Sequence, residues 1–412
     1  NRVSPKDKNP FLKNYRLENF LAGIIMISAA VLSLIQIISN RSLWLDEAML
    51  AISIVSRNNL ELLKPLELSQ VAPILYLQIE RVFFMIFPDT DYGLRIQPLI
   101  AFFVSMYFLF KILKQLPISI YGVILGISLF AFNYSFIYYS SEVKQYMTDV
   151  LSITAMLYFY FKDYRYEKDK YIALSIAGVI IIFLSNVSPI ILFSFGAALL
   201  YDYYKNKNIS FRYIATVFLI WLITYSIYYI SFIKGHPARE IMLFFWTMAD
   251  GFLPANPLSK EFYVFLFTKG NLILISLISF GSAGEIVLLT LIITGIIYLY
   301  KIGKSDILIL TITPLLLHLT LSGLKLYPFE GRLILYTIPG IIILCSAGLS
   351  IITDIFTSHI KNKKISYPVI IIPVVLLISF FSMSSRGFPI KNEEIKNSIN
   401  FVDQNISEQE NI

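Results

Sequence analysis

Two adjacent carboxylates stand in the segment LWLDEA at residues 43–48, directly after an apolar run of membrane-spanning length. Charge is expensive close to hydrocarbon, so Asp46 and Glu47 at a membrane surface indicate a functional site. A carboxylate in that position can accept a proton from a hydroxyl or an amine and so act as a general base. Both acids can equally be solvated residues just outside a helix, and their position alone leaves this alternative open.

The elements that must position these acids are transmembrane helices. The chain is 57% hydrophobic and only 15% charged, with a mean hydropathy of +0.69, whereas soluble domains carry about 25% charged residues. Apolar runs of roughly 20 residues recur along the chain, and each can cross ~30 Å of hydrocarbon. We therefore predict an all-α polytopic membrane protein. Its single cysteine, Cys345, lies inside an apolar run and excludes an intrachain disulfide.

The basic residues lie in short clusters between the apolar runs, as the positive-inside bias predicts, so the net charge of +7 does not indicate nucleic-acid binding. The basic segment 1–19 is expected in the cytoplasm, and the run 20–39 then crosses outward. The loop that begins at Asn40 and carries the acidic pair is therefore predicted to be external. Further clusters predicted to be cytoplasmic are Lys111 and Lys114; Lys162, Arg165, Lys168 and Lys170; Lys205, Lys207 and Arg212; Lys301 and Lys304; and Lys361, Lys363 and Lys364.

Two successive cytoplasmic clusters must be separated by an even number of membrane crossings, and this requirement limits the number of spans. The short runs 72–88 and 262–280 are predicted to lie in the outer interface, which gives about eleven transmembrane helices, or up to about thirteen if both cross. The spans are predicted at 20–39, 94–114, 118–138, 148–161, 171–187, 188–204, 213–233, 284–301, 307–323, 332–356 and 367–384. Residues 1–384 then form a transmembrane domain whose external loops 40–93 and 234–283 make the catalytic face, followed by an external polar tail, 385–412.

The predicted outer face also gathers further polar residues. They are Glu142, Lys144, Tyr146 and Asp149 in one turn, His236 and Arg239 in the second long external segment, and Lys325, Glu330 and Arg332 in LKLYPFEGR. Carboxylates and cations at one face suit a reaction on an anionic lipid head group, with a base for the acceptor proton and cations for the phosphate leaving group.

Each of these residues also has a simpler interpretation. Basic residues at membrane ends commonly snorkel to the interface, as Lys325 and Arg332 can. Lys144 can form a plain surface ion pair, Asp149 can cap a helix, and a loop histidine such as His236 can be incidental. The chain has no GxGxxG motif after a strand, no P-loop and no HExxH pair, so we predict no nucleotide cofactor. A sugar transferase embedded in the membrane, with no place for a nucleotide sugar, would take its activated sugar from a lipid carrier.

The segment LWLDEA resembles the acidic signature of the GT-C membrane glycosyltransferases. It is most similar to the branch of the protein O-mannosyltransferases and the lipid A aminoarabinose transferase, glycosyltransferase family 39. Further stretches resemble this branch in the expected order: APILYLQIERVFF, YGLRIQPLIAFF at Arg95, YYSSEVKQYM at Glu142, Lys144 and Tyr146, and EGRLILYTIPGIIIL at Arg332 and Pro339. The likeness covers roughly residues 15–350. Ala72 stands in place of a proline, and Lys144 and Gln145 in place of Arg-Pro, which leaves the substrate open.

The resemblance implies a GT-C fold with external juxtamembrane helices and an inverting transfer. Asp46 would deprotonate the acceptor, which attacks the anomeric carbon of a polyprenyl-phosphate sugar and releases polyprenyl phosphate. Lys325 and Arg332, with Lys144, would bind the carrier phosphate. Glu47 would orient the site or help to bind a divalent cation. Members differ in metal use, so a metal ion at Asp46 and Glu47 stays open.

The main alternative is a polytopic lipid or polysaccharide transporter or flippase. That class predicts polar residues along a path through the bilayer and often paired halves, whereas this chain has no evident repeat and its polar residues lie at one face. A transferase that moves a whole oligosaccharide also stays open. The expected location is the plasma or inner membrane, with a cytoplasmic N-terminus and an external site and C-terminus. The sugar, the acceptor (glycan, lipid or protein) and the carrier type are not determined by the sequence.

Overall fold

A computed structural model of the protein describes residues 15–88, 90–206, 209–277, 281–359, 387–391, 393 and 395–405. Throughout this part of the chain the regular structure is helical. The helices are α1 (Tyr15–Ile38), α2 (Leu45–Ser56), α3 (Ile74–Ile86), α4 (Asp91–Gln115), α5 (Ile120–Ala131), α6 (Tyr134–Tyr139), α7 (Tyr146–Phe161), α8 (Glu167–Leu184), α9 (Ser188–Lys205), α10 (Phe211–Tyr228), α11 (Arg239–Met248), α12 (Lys260–Leu277), α13 (Gly281–Lys301), α14 (Ser305–Gly323), α15 (Ile338–His359) and α16 (Ile395–Asn405). Short 3₁₀ helices cover Glu61–Leu63 and Gly331–Thr337, and a π-helical turn covers Tyr229–Ile233.

Several of these helices suit a membrane. Within the described ranges, 6 helical segments are long and apolar enough to cross a bilayer: Arg16–Ile38, Asp91–Gln115, Phe211–Ile233, Ala283–Lys301, Ser305–Gly323 and Gly331–Thr353. Each of them coincides with a predicted span. The prediction of an all-helical, multi-pass membrane protein is confirmed at this level.

The other predicted spans differ from continuous helices of that kind. The run 118–138 is broken after α5, because the Asn133 side chain accepts the backbone N–H of Phe136 at 3.0 Å and begins α6. Helix α7 has only 16 residues. Helix α8 begins with the charged sequence EKDK. The predicted span 367–384 lies outside the described residues.

The helix pair α13–α15 shows how closely backbones approach in this bundle. A Cβ atom added at Gly295 would lie 2.0 Å from the carbonyl oxygen of Leu344, and one added at Gly348 would lie 2.0 Å from that of Leu291. Close packing through small residues is typical of helices in membranes, where the hydrophobic effect does not drive their association.

Helix α3 supports the helix that carries the acidic pair. It begins after Pro73 and has 13 residues, consistent with the short segment predicted at the interface. The Arg81 guanidinium donates to the carbonyls of Ile54 and Val55 at 3.1 and 2.9 Å. These carbonyls belong to the last turn of α2, where helix carbonyls lack intrahelical partners. Arg81, a charged residue in the middle of the apolar run 72–88, therefore caps the C-terminal end of α2.

Candidate active site

Asp46 lies in the first turn of α2, between two cations from distant parts of the chain. Its Oδ1 is 2.9 Å from the Lys144 Nζ, and its Oδ2 is 2.9 Å from the Arg332 Nη1. Gln70 approaches Oδ1 through its Nε2 at 3.4 Å. The Asp46 side chain is 21% exposed, whereas that of Lys144 is 5% exposed. The carboxylate is therefore the open end of a largely buried charged cluster.

Glu47 has a different environment from its neighbour, because it is fully buried. Arg41 binds it through both terminal nitrogens, at 2.5 and 3.0 Å. The backbone N–H groups of Val143 and Trp44 donate to the same carboxylate at 2.8 and 3.3 Å. Burial lowers the pKa of Arg41, but the charge and hydrogen bond of Glu47 outweigh burial and raise it overall. Glu47 thus joins the loop 40–44, α2 and the turn 140–145.

Arg95 supports the loop residue Arg41, which in turn binds Glu47. The wholly buried Arg95 donates from Nη2 to the backbone carbonyl of Arg41 at 2.6 Å. The Arg41 guanidinium lies 4.8 Å from the centre of the Tyr138 ring, a cation–π distance. Arg95 therefore fixes the backbone of the loop that carries Arg41, and its contact with the acidic pair runs through that loop.

Lys144 and Glu142 occupy the turn between α6 and α7. The Lys144 Nζ also donates to the Gln70 Oε1 at 2.6 Å, and burial lowers the pKa of this lysine. Glu142 is 1% exposed, and neither of its carboxyl oxygens has a hydrogen-bond partner within the described part of the chain. Burial, followed by the charge of Glu47, raises the pKa of Glu142 to about 8. A protonatable group therefore lies buried among the charges around Asp46.

Arg332 joins the charged cluster to an aromatic cavity. Its guanidinium lies 5.1 Å from the Trp44 ring centre and 5.7 Å from those of Tyr146 and Trp246. A cavity of about 450 Å³ opens beside it. The cavity is lined by Tyr139, Phe245, Trp246, Ala249, Glu330, Gly331 and Arg332. Within its wall, Glu330 is ion-paired with Lys269 and accepts the backbone N–H of Gly331 at 3.1 Å. A partly exposed carboxylate, two cations and aromatic walls therefore meet in one place.

The remaining predicted site residues lie elsewhere. Lys325 is exposed on the link between α14 and the 3₁₀ helix, with a positive φ of 55°. Arg239 is exposed at the start of α11, and the His236 Nδ1 accepts the backbone N–H of Ala238 at 3.2 Å. Asp149 is buried in α7 and accepts a hydrogen bond from the Ser185 hydroxyl at 2.5 Å. Among the described contacts, none joins these residues to Asp46.

Arg41 and Trp246 belong to the site but were not predicted as candidates. Arg41 carried a signal that could have been read, because an arginine just outside the first span opposes the positive-inside bias on a face predicted to be external. Trp246 carried none beyond the general enrichment of aromatic residues at membrane interfaces, because its approach to Arg332 depends on how α11 folds back onto the bundle.

The donor set does not fit a divalent metal ion. Mg²⁺ and Ca²⁺ are bound by oxygen atoms with free lone pairs, whereas the Glu47 oxygens already accept four hydrogen bonds and Asp46 already pairs with two cations. In the ranges that the structure describes, no group of three or more His, Cys, Asp or Glu residues could hold a metal ion.

No protein-family model matches the chain, and no curated protein matches it. Its function is therefore inferred from the geometry of the site together with the resemblance of its motifs.

Proposed function

We propose that the protein is an inverting glycosyltransferase of the GT-C type, which moves a sugar from a polyprenyl-phosphate carrier to an acceptor at the external membrane face. One observation carries the proposal: the Asp46 carboxylate is 21% exposed and lies 2.9 Å from each of two cations, beside an aromatic cavity. A general base and a phosphate-binding pair are the groups that this transfer needs. The proposal includes about eleven spans with a cytoplasmic N-terminus, in the plasma or inner membrane.

The two cations supply the binding site for the carrier phosphate. Lys144 donates a charge-assisted hydrogen bond to Asp46, and Arg332 forms an ion pair with it at 2.9 Å; a phosphodiester accepts charge-assisted bonds from the same two side chains. When the donor binds, its phosphate competes with Asp46 for both cations. Loss of these partners frees the carboxylate oxygens of Asp46 to receive the proton of the acceptor. Donor binding thus exposes the base.

The transfer itself then needs no chemical group other than the donor, the acceptor and these three side chains. The acceptor oxygen or nitrogen attacks the anomeric carbon, and its proton passes to Asp46. The bond between that carbon and the phosphate oxygen breaks, and polyprenyl phosphate leaves with the electron pair. Lys144 and Arg332 stabilise the charge on the departing phosphate. Attack opposite the leaving group inverts the anomeric configuration.

The cavity suits a sugar ring. Its volume of about 450 Å³ lies within the range of small-molecule sites, which combine apolar walls with a few polar groups. Trp246 and Tyr139 provide flat apolar surfaces, and Glu330 provides a hydrogen-bond acceptor for hydroxyl groups. Lys325, exposed on the link that leads to Arg332, is proposed as the first contact of the carrier phosphate.

The experiment is a transfer assay on protein in nanodiscs, with synthetic polyprenyl-phosphate hexoses and pentoses as donors and envelope lipids and glycans as acceptors. Released polyprenyl phosphate is quantified by mass spectrometry. We expect turnover in wild type and in Asp163→Asn, an exposed aspartate remote from the cluster, and none in Asp46→Asn. Retained turnover in Asp46→Asn refutes the role of Asp46 as base. In proteoliposomes, movement of intact donor across the bilayer without release of polyprenyl phosphate supports the transporter alternative.

A further inference from the structure

The C-terminal part of the chain returns to the loop that carries the acidic pair. The Gln36 side chain, buried at the end of α1, forms two hydrogen bonds with the backbone of Ile390. Its Nε2 donates to the Ile390 carbonyl at 2.8 Å, and its Oε1 accepts the Ile390 N–H at 2.8 Å. Ile390 is itself 3% exposed. This contact anchors the returning segment against the outer end of α1.

Glu393 reaches the first turn of the helix that bears Asp46. Its Oε2 accepts the backbone N–H of Leu45 at 3.2 Å, across a separation of 348 residues. The first N–H groups of a helix have no intrahelical partners, and negative charge is favourable at that end. The Trp44 side chain just before α2 has only a donor and cannot cap the helix. Glu47 accepts the N–H of Trp44, and Glu393 supplies the acceptor for the next N–H, that of Leu45.

Lys396 holds the other end of the same loop. Its backbone N–H donates to the Ser42 hydroxyl at 3.0 Å, and its Nζ donates to the Asn40 carbonyl and side-chain oxygens at 3.3 and 3.1 Å. The Nζ also pairs with Asp91 at 2.5 Å, at the start of α4. Asn40 has a positive φ of 44°, a conformation that needs support from its surroundings.

We propose that Ile390, Glu393 and Lys396 form a C-terminal clamp that fixes the loop 40–45 and the start of α2, and so keeps the Asp46 carboxylate between Lys144 and Arg332. Glu393 and Lys396 are positioning residues in this account, because their contacts reach Asp46 through the loop and the helix backbone. The effect of the clamp on transfer rests on the proposed function, whereas its effect on the order of the loop does not.

Hydrogen exchange measured by mass spectrometry on the full chain in nanodiscs tests the clamp without any substrate. Glu393→Ala and Lys396→Met should each speed exchange in peptides covering residues 40–48 about tenfold, as expected for loss of a hydrogen bond to a charged group. Glu393→Gln keeps an acceptor oxygen and should show a smaller increase. Glu261→Ala removes an equal charge from an exposed site on α12 and should leave these peptides unchanged.

Unchanged exchange over residues 40–48 in both Glu393→Ala and Lys396→Met overturns the clamp. If wild type also catalyses transfer, the same two variants should lower the turnover number several-fold, with the donor KM nearly unchanged, because the cations that bind phosphate remain. A wild type without transfer activity defeats the proposed function but leaves the exchange result to decide the clamp.

Discussion

The buried ion pair between Arg41 and Glu47 yields the sharpest stability prediction. Replacing Glu47 with alanine removes the two guanidinium hydrogen bonds at 2.5 and 3.0 Å. It also leaves Arg41 charged in a place where its side chain is 0% exposed. Breaking a buried pair from one side typically costs about 3–5 kcal/mol, mainly because the surviving charge has no partner. We expect a loss of that size in the free energy of unfolding.

The assay is SDS-induced unfolding of detergent-purified protein, followed by far-ultraviolet circular dichroism. The matched control is Glu67→Ala, which breaks an ion pair with Arg57 at 3.2 Å in which Glu67 is 56% exposed. Exposed pairs contribute little, so this variant should change stability by less than about 1 kcal/mol. The comparison separates burial of the charge from loss of a carboxylate.

The double variant Arg41→Met/Glu47→Leu separates the unpaired charge from the pair itself. Apolar residues of similar volume often replace a buried pair at little cost, so this variant should recover most of the stability lost in Glu47→Ala. Because the two residues are in contact, their effects should be strongly non-additive. The reasoning is refuted if Glu47→Ala is no more destabilising than Glu67→Ala, or if the double variant is as unstable as the sum of its single changes.

Three further predictions concern other parts of the site and bundle. Arg332→Lys should raise the donor KM about tenfold or more in the transfer assay, because a lysine offers no planar fork for phosphate and aromatic stacking; an unchanged KM argues against phosphate binding there. Burial raises the pKa of Glu142 to about 8, so the folded protein binds an extra proton between about pH 4.5 and 8. The free energy of unfolding should therefore fall as pH rises through that window. In Glu142→Gln the melting temperature should depend less on pH over the same range. Gly348→Ala places a Cβ 2.0 Å from a backbone oxygen and should cost about 1–3 kcal/mol by overpacking, whereas Gly23→Ala, with nothing within 4 Å, should be nearly neutral in the same unfolding assay.

The long helices and the acidic pair could be predicted from the sequence because each depends on local pattern. Hydropathy identifies α1 and α4 directly, and the charge between apolar runs singles out Asp46. Hydropathy fails at residues 118–138, because the Asn133 side chain caps the next helix and so interrupts an apolar run. Hydropathy counts apolar residues and does not register such a cap.

The different environments of Asp46 and Glu47 could have been predicted from the sequence. Consecutive residues on a helix point about 100° apart, so two neighbouring acids seldom share one site. The partners themselves were less accessible. Lys144 and Arg332 were recognised as candidates from motifs and charge, but Glu393 meets α2 across 348 residues, and a polar tail gives no local sign of where it docks.

The central claim is that Lys144 and Arg332 form a binding site for a polyprenyl phosphate. The most direct measurement is native mass spectrometry of the purified protein, with and without added decaprenyl phosphate, for wild type and for the Lys144→Met/Arg332→Met variant. The account predicts a bound polyprenyl-phosphate mass, with or without an attached sugar, on wild type and its loss from the variant. Only bulk phospholipid on wild type after the addition, or equal binding to both proteins, contradicts it.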